Sequence, residues 1–211
     1  YKLNPQHHVS YYIIGNPDLK PEISHGYSLD LENSWANALL GRVSFFRNDI
    51  ENMIASKSAG KYSTGEDIMQ SYNVDEAFSQ GYEIELQYSP LTNLNTSIGY
   101  TYSQVEDKTI EKQIRNMPKH TGKFLIQYNN EQYGMGFHYD MQYIGKMYTD
   151  AKLSKESDEC IIANAKLSKD ITKSIGMFLA VDNIFDEVPS TENSRYFNMA
   201  RLWSLGLNFK I

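Results

Sequence analysis

From residue 133 to residue 143 the chain alternates without a break. Tyr133, Met135, Phe137, Tyr139, Met141 and Tyr143 fall on one face of an extended segment, and Gly134, Gly136, His138, Asp140 and Gln142 on the other. A helix repeats every 3.6 residues and would scatter this pattern around its circumference, whereas a strand places successive side chains on opposite faces. The segment therefore reads as a β-strand with one oily and one wet side.

The pattern recurs. Residues 81–88 set Tyr82, Ile84, Leu86 and Tyr88 against Gly81, Glu83, Glu85 and Gln87. Residues 94–103 set Leu94, Thr96, Ile98, Tyr100 and Tyr102 against Asn95, Ser97, Gly99, Thr101 and Ser103. At the C-terminal end Trp203, Leu205, Leu207, Phe209 and Ile211 face one way and Ser204, Gly206, Asn208 and Lys210 the other, with Leu202 as the one apolar exception on the polar side. Weaker runs lie near 24–34, 38–49, 121–129, 159–168 and 174–183, which makes nine strands in all. A ten-residue strand rises about 33 Å and, tilted by roughly 45°, crosses about 23 Å of hydrocarbon.

The connections alternate as well. Short links fall at 35–38, 89–93, 129–132 and 169–173, and long polar links at about 50–72, 104–120, 144–158 and 184–200. Tight turns at one end and long loops at the other is the layout of an outer-membrane barrel. A soluble antiparallel sheet with its oily face on a core is the competing architecture. Tyr100, Tyr102, Tyr139 and Tyr143 stand near the loop ends, where an aromatic girdle would lie.

Composition narrows the classes. No stretch approaches the roughly 18 apolar residues of a spanning helix, which excludes a helical membrane protein but not a barrel, whose strands meet lipid on alternate residues only. The 16 Tyr, 9 Phe and 2 Trp favour strands. A net charge of -6, with no Lys/Arg cluster, argues against nucleic acid as a partner. A single cysteine, Cys160, rules out an internal disulfide, and no His/Cys spacing suggests a metal site or a bound cofactor. Nucleophile elbow, phosphate loop and HExxH helix are all missing from the 211 residues, so no catalytic role is expected. The first residues, YKLNPQHHVS, contain no secretory signal, and the expectation is that the chain begins within a longer protein.

Four elements carry a family resemblance. Gly15-Asn16-Pro17-Asp18-Leu19-Lys20-Pro21-Glu22 resembles the GNPxLKPE segment that precedes a barrel strand in TonB-dependent receptors. Tyr72-Asn73-Val74 followed by Gly81-Tyr82-Glu83-Ile84-Glu85, then Met117-Pro118-Lys119-His120, then Val181-Asp182-Asn183-Ile184-Phe185-Asp186 resemble further elements of that family, in family order. Each also has a plain local reading: Asn16-Pro17-Asp18 is turn chemistry, Gly81 marks a bulge or a close backbone approach, and Asn183 and Asp186 cap a loop. The chain departs from the family in ending on Ile211 rather than Phe or Trp, with Phe209 two residues earlier.

The resemblance implies an all-β, antiparallel up-and-down transmembrane barrel of roughly 22 strands, of which residues 1–211 would be the C-terminal segment with about nine strands, without plug domain or N-terminal strands. It implies an outer-membrane receptor that binds a ferric siderophore, another metal chelate or a similar scarce nutrient. The lipid bilayer and, through the missing N-terminal region, the TonB complex would be its partners. Lys57, Lys61, Tyr62 and Tyr72 in the 50–72 link, and Lys108, Lys112 and Arg115 in the 104–120 link, are the candidate ligand contacts, since cations and phenols suit anionic chelates. Arg42, Glu83, Glu85, His138 and Asp140 are expected to face the lumen. His7 and His8 lie where haem-importing members carry an axial ligand, although the neighbouring Tyr1-Lys2-Leu3-Asn4-Pro5 matches that pattern poorly. A soluble carbohydrate-binding or adhesive β domain, with its tyrosines as stacking platforms, is the rival from another class, and a passive porin is a third possibility.

Overall fold

The computed structural model describes residues 11–36, 38–63, 65–108, 111–149, 153–187 and 200–209, with the backbone alone at Asp75. The described residues form strands, turns and loops with no helix. The strands are β1 (Tyr11–Ile14), β2 (Ile23–Trp35), β3 (Leu39–Lys61), β4 (Asp67–Leu91), β5 (Leu94–Asp107), β6 (Lys112–Gln113), β7 (His120–Asn130), β8 (Met135–Ile144), β9 (Cys160–Asp170), β10 (Ile175–Asp182) and β11 (Leu202–Phe209). They make one sheet in the order β11-β10-β9-β8-β7-β5-β4-β3-β2, with β1 on β4 and β6 on β5 beside that path. The nine strands of the path are the nine expected from the alternation.

Contacts divide the described chain into two compact units. Among the described residues a wall unit falls within 28–46, 81–103 and 115–209, and a hairpin unit within 11–27, 47–80 and 104–114; β2, β3, β4 and β5 contribute to both.

In the wall unit the turns follow from their residues. Gly134 takes a left-handed φ of +57° to close β7 onto β8, and its amide donates to Glu131 O at 3.1 Å. Thr172 Oγ1 accepts from the amides of Ser174 and Ile175 to close β9 onto β10. Thr92 and Asn93 alone separate β4 from β5.

The register keeps like with like across each pair, as a half-apolar sheet requires. Ile98 pairs with Phe124, Phe124 with Met141, and Met141 with Ala163, while Gln127 pairs with His138 and His138 with Lys166. On β10 and β11, Met177 meets Leu207 and Leu179 meets Leu205.

No large side chain among the described residues is fully buried, and the apolar face is open: Leu179 is 46%, Leu207 62% and Leu205 73% exposed. A soluble sheet would cover such a face with a second layer. Among the described residues no second layer covers the oily face, which is the arrangement hydrocarbon solvates. The aromatic cluster belongs to this face. Tyr82 stacks on Tyr102 with ring centroids 5.5 Å apart and contacts Phe45 and Tyr100, and the Tyr100 hydroxyl meets His120 Nδ1 at 2.7 Å.

In the hairpin unit the structure corrects the expectation of a long polar loop at 50–72. β3 runs 23 residues and β4 runs 25, so the two strands end and begin five residues apart, at Lys61 and Asp67. At about 3.3 Å per residue each has a contour of roughly 75–85 Å, well beyond a hydrocarbon core of about 30 Å. The alternation fails in this stretch because both faces meet water, so the sequence loses its period while the backbone keeps its ladder. Likewise β5 continues to Asp107 and β6 forms inside the expected 104–120 loop.

Candidate functional site

Two sets of polar residues are displayed, one in each unit. In the wall unit, Arg42 donates from Nε (2.9 Å) and Nη2 (2.5 Å) to Glu32 Oε2. Glu85 accepts from Gln87 at 2.8 Å, and Glu83 shares its side of β4, opposite Tyr82, Ile84 and Leu86. His138 Nε2 lies 3.2 Å from Asp140 Oδ1, and its Nδ1 lies 3.4 Å from the Gln127 carboxamide. Asn164 then donates to Asp140 Oδ2 at 2.8 Å and accepts from the Asn183 amide at 3.0 Å. Arg42, Glu83, Glu85, His138 and Asp140 thus all stand on the polar face.

That polar chain ends in the Val181-Asp182-Asn183-Ile184-Phe185-Asp186 element. Asn183 is 4% exposed and takes a φ of 53°, a region Asn tolerates better than most residues. Its carboxamide donates to Glu187 O at 3.0 Å and accepts from Glu187 N at 3.1 Å, closing the loop. Glu187 Oε2 in turn accepts from Ile161 N at 2.7 Å, which ties the loop to β9. The capping role expected of Asn183 is what the geometry shows, and Asp186 caps too, accepting from the Arg201 amide. Gly81 is a close approach: a Cβ there would stand 1.9 Å from Tyr102 O.

In the hairpin unit, Lys57 Nζ sits 4.9 Å above the Tyr72 ring, which brings two of the sequence candidates together. Tyr62 stacks on Tyr12, centroids 4.4 Å apart, and Lys61 pairs with Asp67 at 3.7 Å. Lys108 is held by Asp49 (3.2 Å) and Glu76 (3.5 Å). Lys112 lies exposed on β6 and Arg115 is half-buried in the wall unit. Lys61 and Lys108 are thus partly neutralised by carboxylates rather than gathered into one cationic patch. His7 and His8 lie outside the described residues.

Sequence reading missed Arg47 and Asp49. The Arg47 guanidinium grips Asp49 through two nitrogens, at 3.0 and 2.8 Å, and reaches Gln80. Hydrogen bonds from Arg47 and then Lys108 hold the Asp49 carboxyl down to about 2. The Arg-x-Asp spacing, which puts both side chains on one face of a strand, was the available signal. Among the described residues no group of three or more His, Cys, Asp or Glu comes together as a metal site.

An antiparallel, single-layer wall, apolar on one face and polar on the other, with spanning-length strands and tight turns, defines a segment of an outer-membrane β-barrel. The family model for the TonB-dependent receptor-like β-barrel matches residues 4–184, and the chain belongs to that family. It is 28% identical to the vitamin B12 transporter BtuB of Photobacterium profundum over 174 residues, covering 82% of this chain and 28% of that protein. It is 27% identical over 189 residues to the ferrienterobactin receptor of Escherichia coli, covering 83% of this chain and 25% of that one. A ferric enterobactin receptor from Pseudomonas aeruginosa shares the fold at a TM-score of 0.70 and 20% identity, over 95% of this chain and 34% of the other. The chain therefore spans about a quarter to a third of the length of the relatives it matches. Those relatives are transporters and receptors rather than enzymes, and they place the chain in the bacterial outer membrane.

Proposed function

We propose that the chain supplies wall and outward-facing loops to a receptor that binds a ferric siderophore or another metal chelate and imports it with energy drawn from the inner membrane through TonB. The observation that carries this reading is the Lys57–Tyr72 pair, a solvent-facing cation against a phenol ring. Such a pair offers charge to an anionic chelate and a flat face to its aromatic rings. The polar face with Arg42, Glu83, Glu85, His138 and Asp140 then turns to the lumen, where a plug from elsewhere in the polypeptide finds hydrogen-bonding partners. The names of the ferrienterobactin receptors among its relatives support the chelate class. A corrinoid is the second reading, favoured by the B12 transporter at 28% identity.

The test uses the full-length receptor in detergent, titrated with a ferric tricatecholate and separately with cobalamin. Binding of the ferric chelate, weakened about tenfold by Lys57→Ala or Tyr72→Ala, is the expected result. Tight cobalamin binding with no response to the ferric chelate would move the assignment to corrinoids, and binding of neither would overturn it.

A further inference from the structure

Two residues break the apolar face of the wall beside the turn from β2 to β3. Arg42 bonds to Glu32 and Ser44 to Asp30, so these four residues hold the polar face. Alternation then sets Leu31, Asn33 and Trp35 of β2, with Gly41 and Val43 of β3, on the apolar one. Asn33 is the polar exception there, and Gly41 leaves that face without a side chain. The result is a depression. Leu31, Trp35, Gly41, Val43, Ile84 and Leu86 line a groove of about 220 Å³ that lies wholly within the wall unit.

Gly41 makes the groove possible. A Cβ there would stand 2.8 Å from Trp35 Cζ3 and 3.3 Å from Leu86 Cδ2, so a larger residue would lift the indole off β3. With glycine in place the ring comes down beside the β3 backbone and Gly41 is buried, while Leu31, Ile84 and Leu86 stay exposed. The groove is continuous with the apolar face that meets hydrocarbon in the outer membrane, so an aliphatic chain is the occupant its surroundings supply. Its size agrees. A cavity of about 150 Å³ lined by aliphatic and aromatic side chains takes up benzene, and this groove has room for several methylene groups.

Depth decides which lipid supplies the chain. Trp35 ends β2, and β3 begins at Leu39 after a tight turn in which Ala38 N donates to Trp35 O at 3.2 Å. Short turns of such barrels lie on the periplasmic side, and Trp favours the headgroup level. The leaflet here is therefore the inner one, built of glycerophospholipids. Asn33 lies two residues further in, about 6.6 Å along the strand and, at a tilt of roughly 45°, about 5 Å deeper, which is the level of the glycerol esters. A carboxamide is costly in hydrocarbon, but beside an ester it can donate to the carbonyl oxygen. We propose that this groove is a binding site for one inner-leaflet glycerophospholipid, with an acyl chain in the groove along Gly41, the Trp35 ring as its side wall and the Asn33 amide on a chain ester. The site is independent of the nutrient that the receptor carries.

The test is native mass spectrometry of the full-length receptor in detergent, titrated with phosphatidylethanolamine. Wild type should retain one phospholipid saturably after the rest of the lipid annulus has been stripped. Gly41→Leu fills the groove and displaces the indole, and should weaken that binding about tenfold or more, whereas Leu205→Ala, elsewhere on the apolar face, should leave it unchanged. Asn33→Leu should weaken it about fivefold, the worth of one hydrogen bond, and should make no difference to an ether-linked phosphatidylethanolamine, which has no ester carbonyl. Absence of a retained phospholipid, equal retention by wild type and Gly41→Leu, or retention of lipopolysaccharide in its place would overturn the site. Equal losses for the ester and ether lipids on Asn33→Leu would overturn the role of Asn33. Should Gly41→Leu fail to assemble, Trp35→Ala, which removes the side wall, takes its place, and retention equal to wild type in that variant refutes the proposal.

Discussion

Replacing Gly81 by alanine adds one methyl group where two strands come closest. The new Cβ would stand 1.9 Å from the Tyr102 carbonyl oxygen and 2.9 Å from Phe46 Cζ, whereas ordinary contact begins near 3.4 Å. The nearer atom is backbone on β5, so no rotamer change relieves it. β4 and β5 would have to part by about 1.5 Å locally, which breaks one or two ladder hydrogen bonds besides straining the Phe46 ring. Overpacking of this kind costs about 1–3 kcal/mol and each lost bond about 1, for a total of about 2–5 kcal/mol. Gly99 is the internal control, because its nearest neighbour, Ile84 O, is 3.9 Å from where a Cβ would go. Gly99→Ala should fall within about 0.5 kcal/mol of wild type. The assay is guanidinium unfolding of the full-length receptor in lipid vesicles, followed by tryptophan fluorescence. Equal midpoints for Gly81→Ala and wild type, or equal losses for Gly81→Ala and Gly99→Ala, would refute the close-approach reasoning.

Three further outcomes are expected. Leu205→Arg puts a charge on the apolar face and should cost up to about 2–4 kcal/mol in vesicle unfolding, while Ser204→Arg on the polar face should be tolerated; equal costs would contradict the assignment of faces. Asn183→Ala removes both bonds to Glu187 at a left-handed position and should destabilise by about 2–3 kcal/mol, with faster exchange at the Ile161 amide as its local sign. The Asp49 carboxyl is lowered from 3.8 to about 2, so its contribution to the hairpin unit is complete above the ordinary value and fades as pH falls through about 2. Exchange at the Lys108 amide should therefore rise over that acid window in wild type and lose this dependence in Asp49→Asn; a flat profile in wild type would count against the Arg47–Asp49–Lys108 cluster.

The wall was legible because lipid enforces a period. Along residues 133–143 each odd position must be oily, so β8 and its neighbours announce their faces, and the nine runs map onto the nine strands of the path. The hairpin unit was not legible, because between Ile50 and Tyr72 water meets both faces and nothing selects alternate residues. Lys57, Lys61 and Tyr72, read as loop residues, stand on β3 and β4 for that reason. Asn73 was visible as part of a motif, yet its work lies in partners 53 and 21 residues away, Lys20 and Asn52, which no local pattern discloses. The position of Gly81 was named correctly as a bulge or close approach, but only the geometry told which.

The unusual length of β3 and β4 bears on how tightly any visitor can be held. A free loop spanning residues 50–72 would surrender its freedom only when a ligand ordered it, at about 1–2 kcal/mol for each residue fixed. Here the backbone from Ile50 to Lys61 and from Asp67 to Tyr72 is already ordered as strand. That entropy is lost when the chain folds, and whatever settles against Lys57 and Tyr72 meets a preorganised surface.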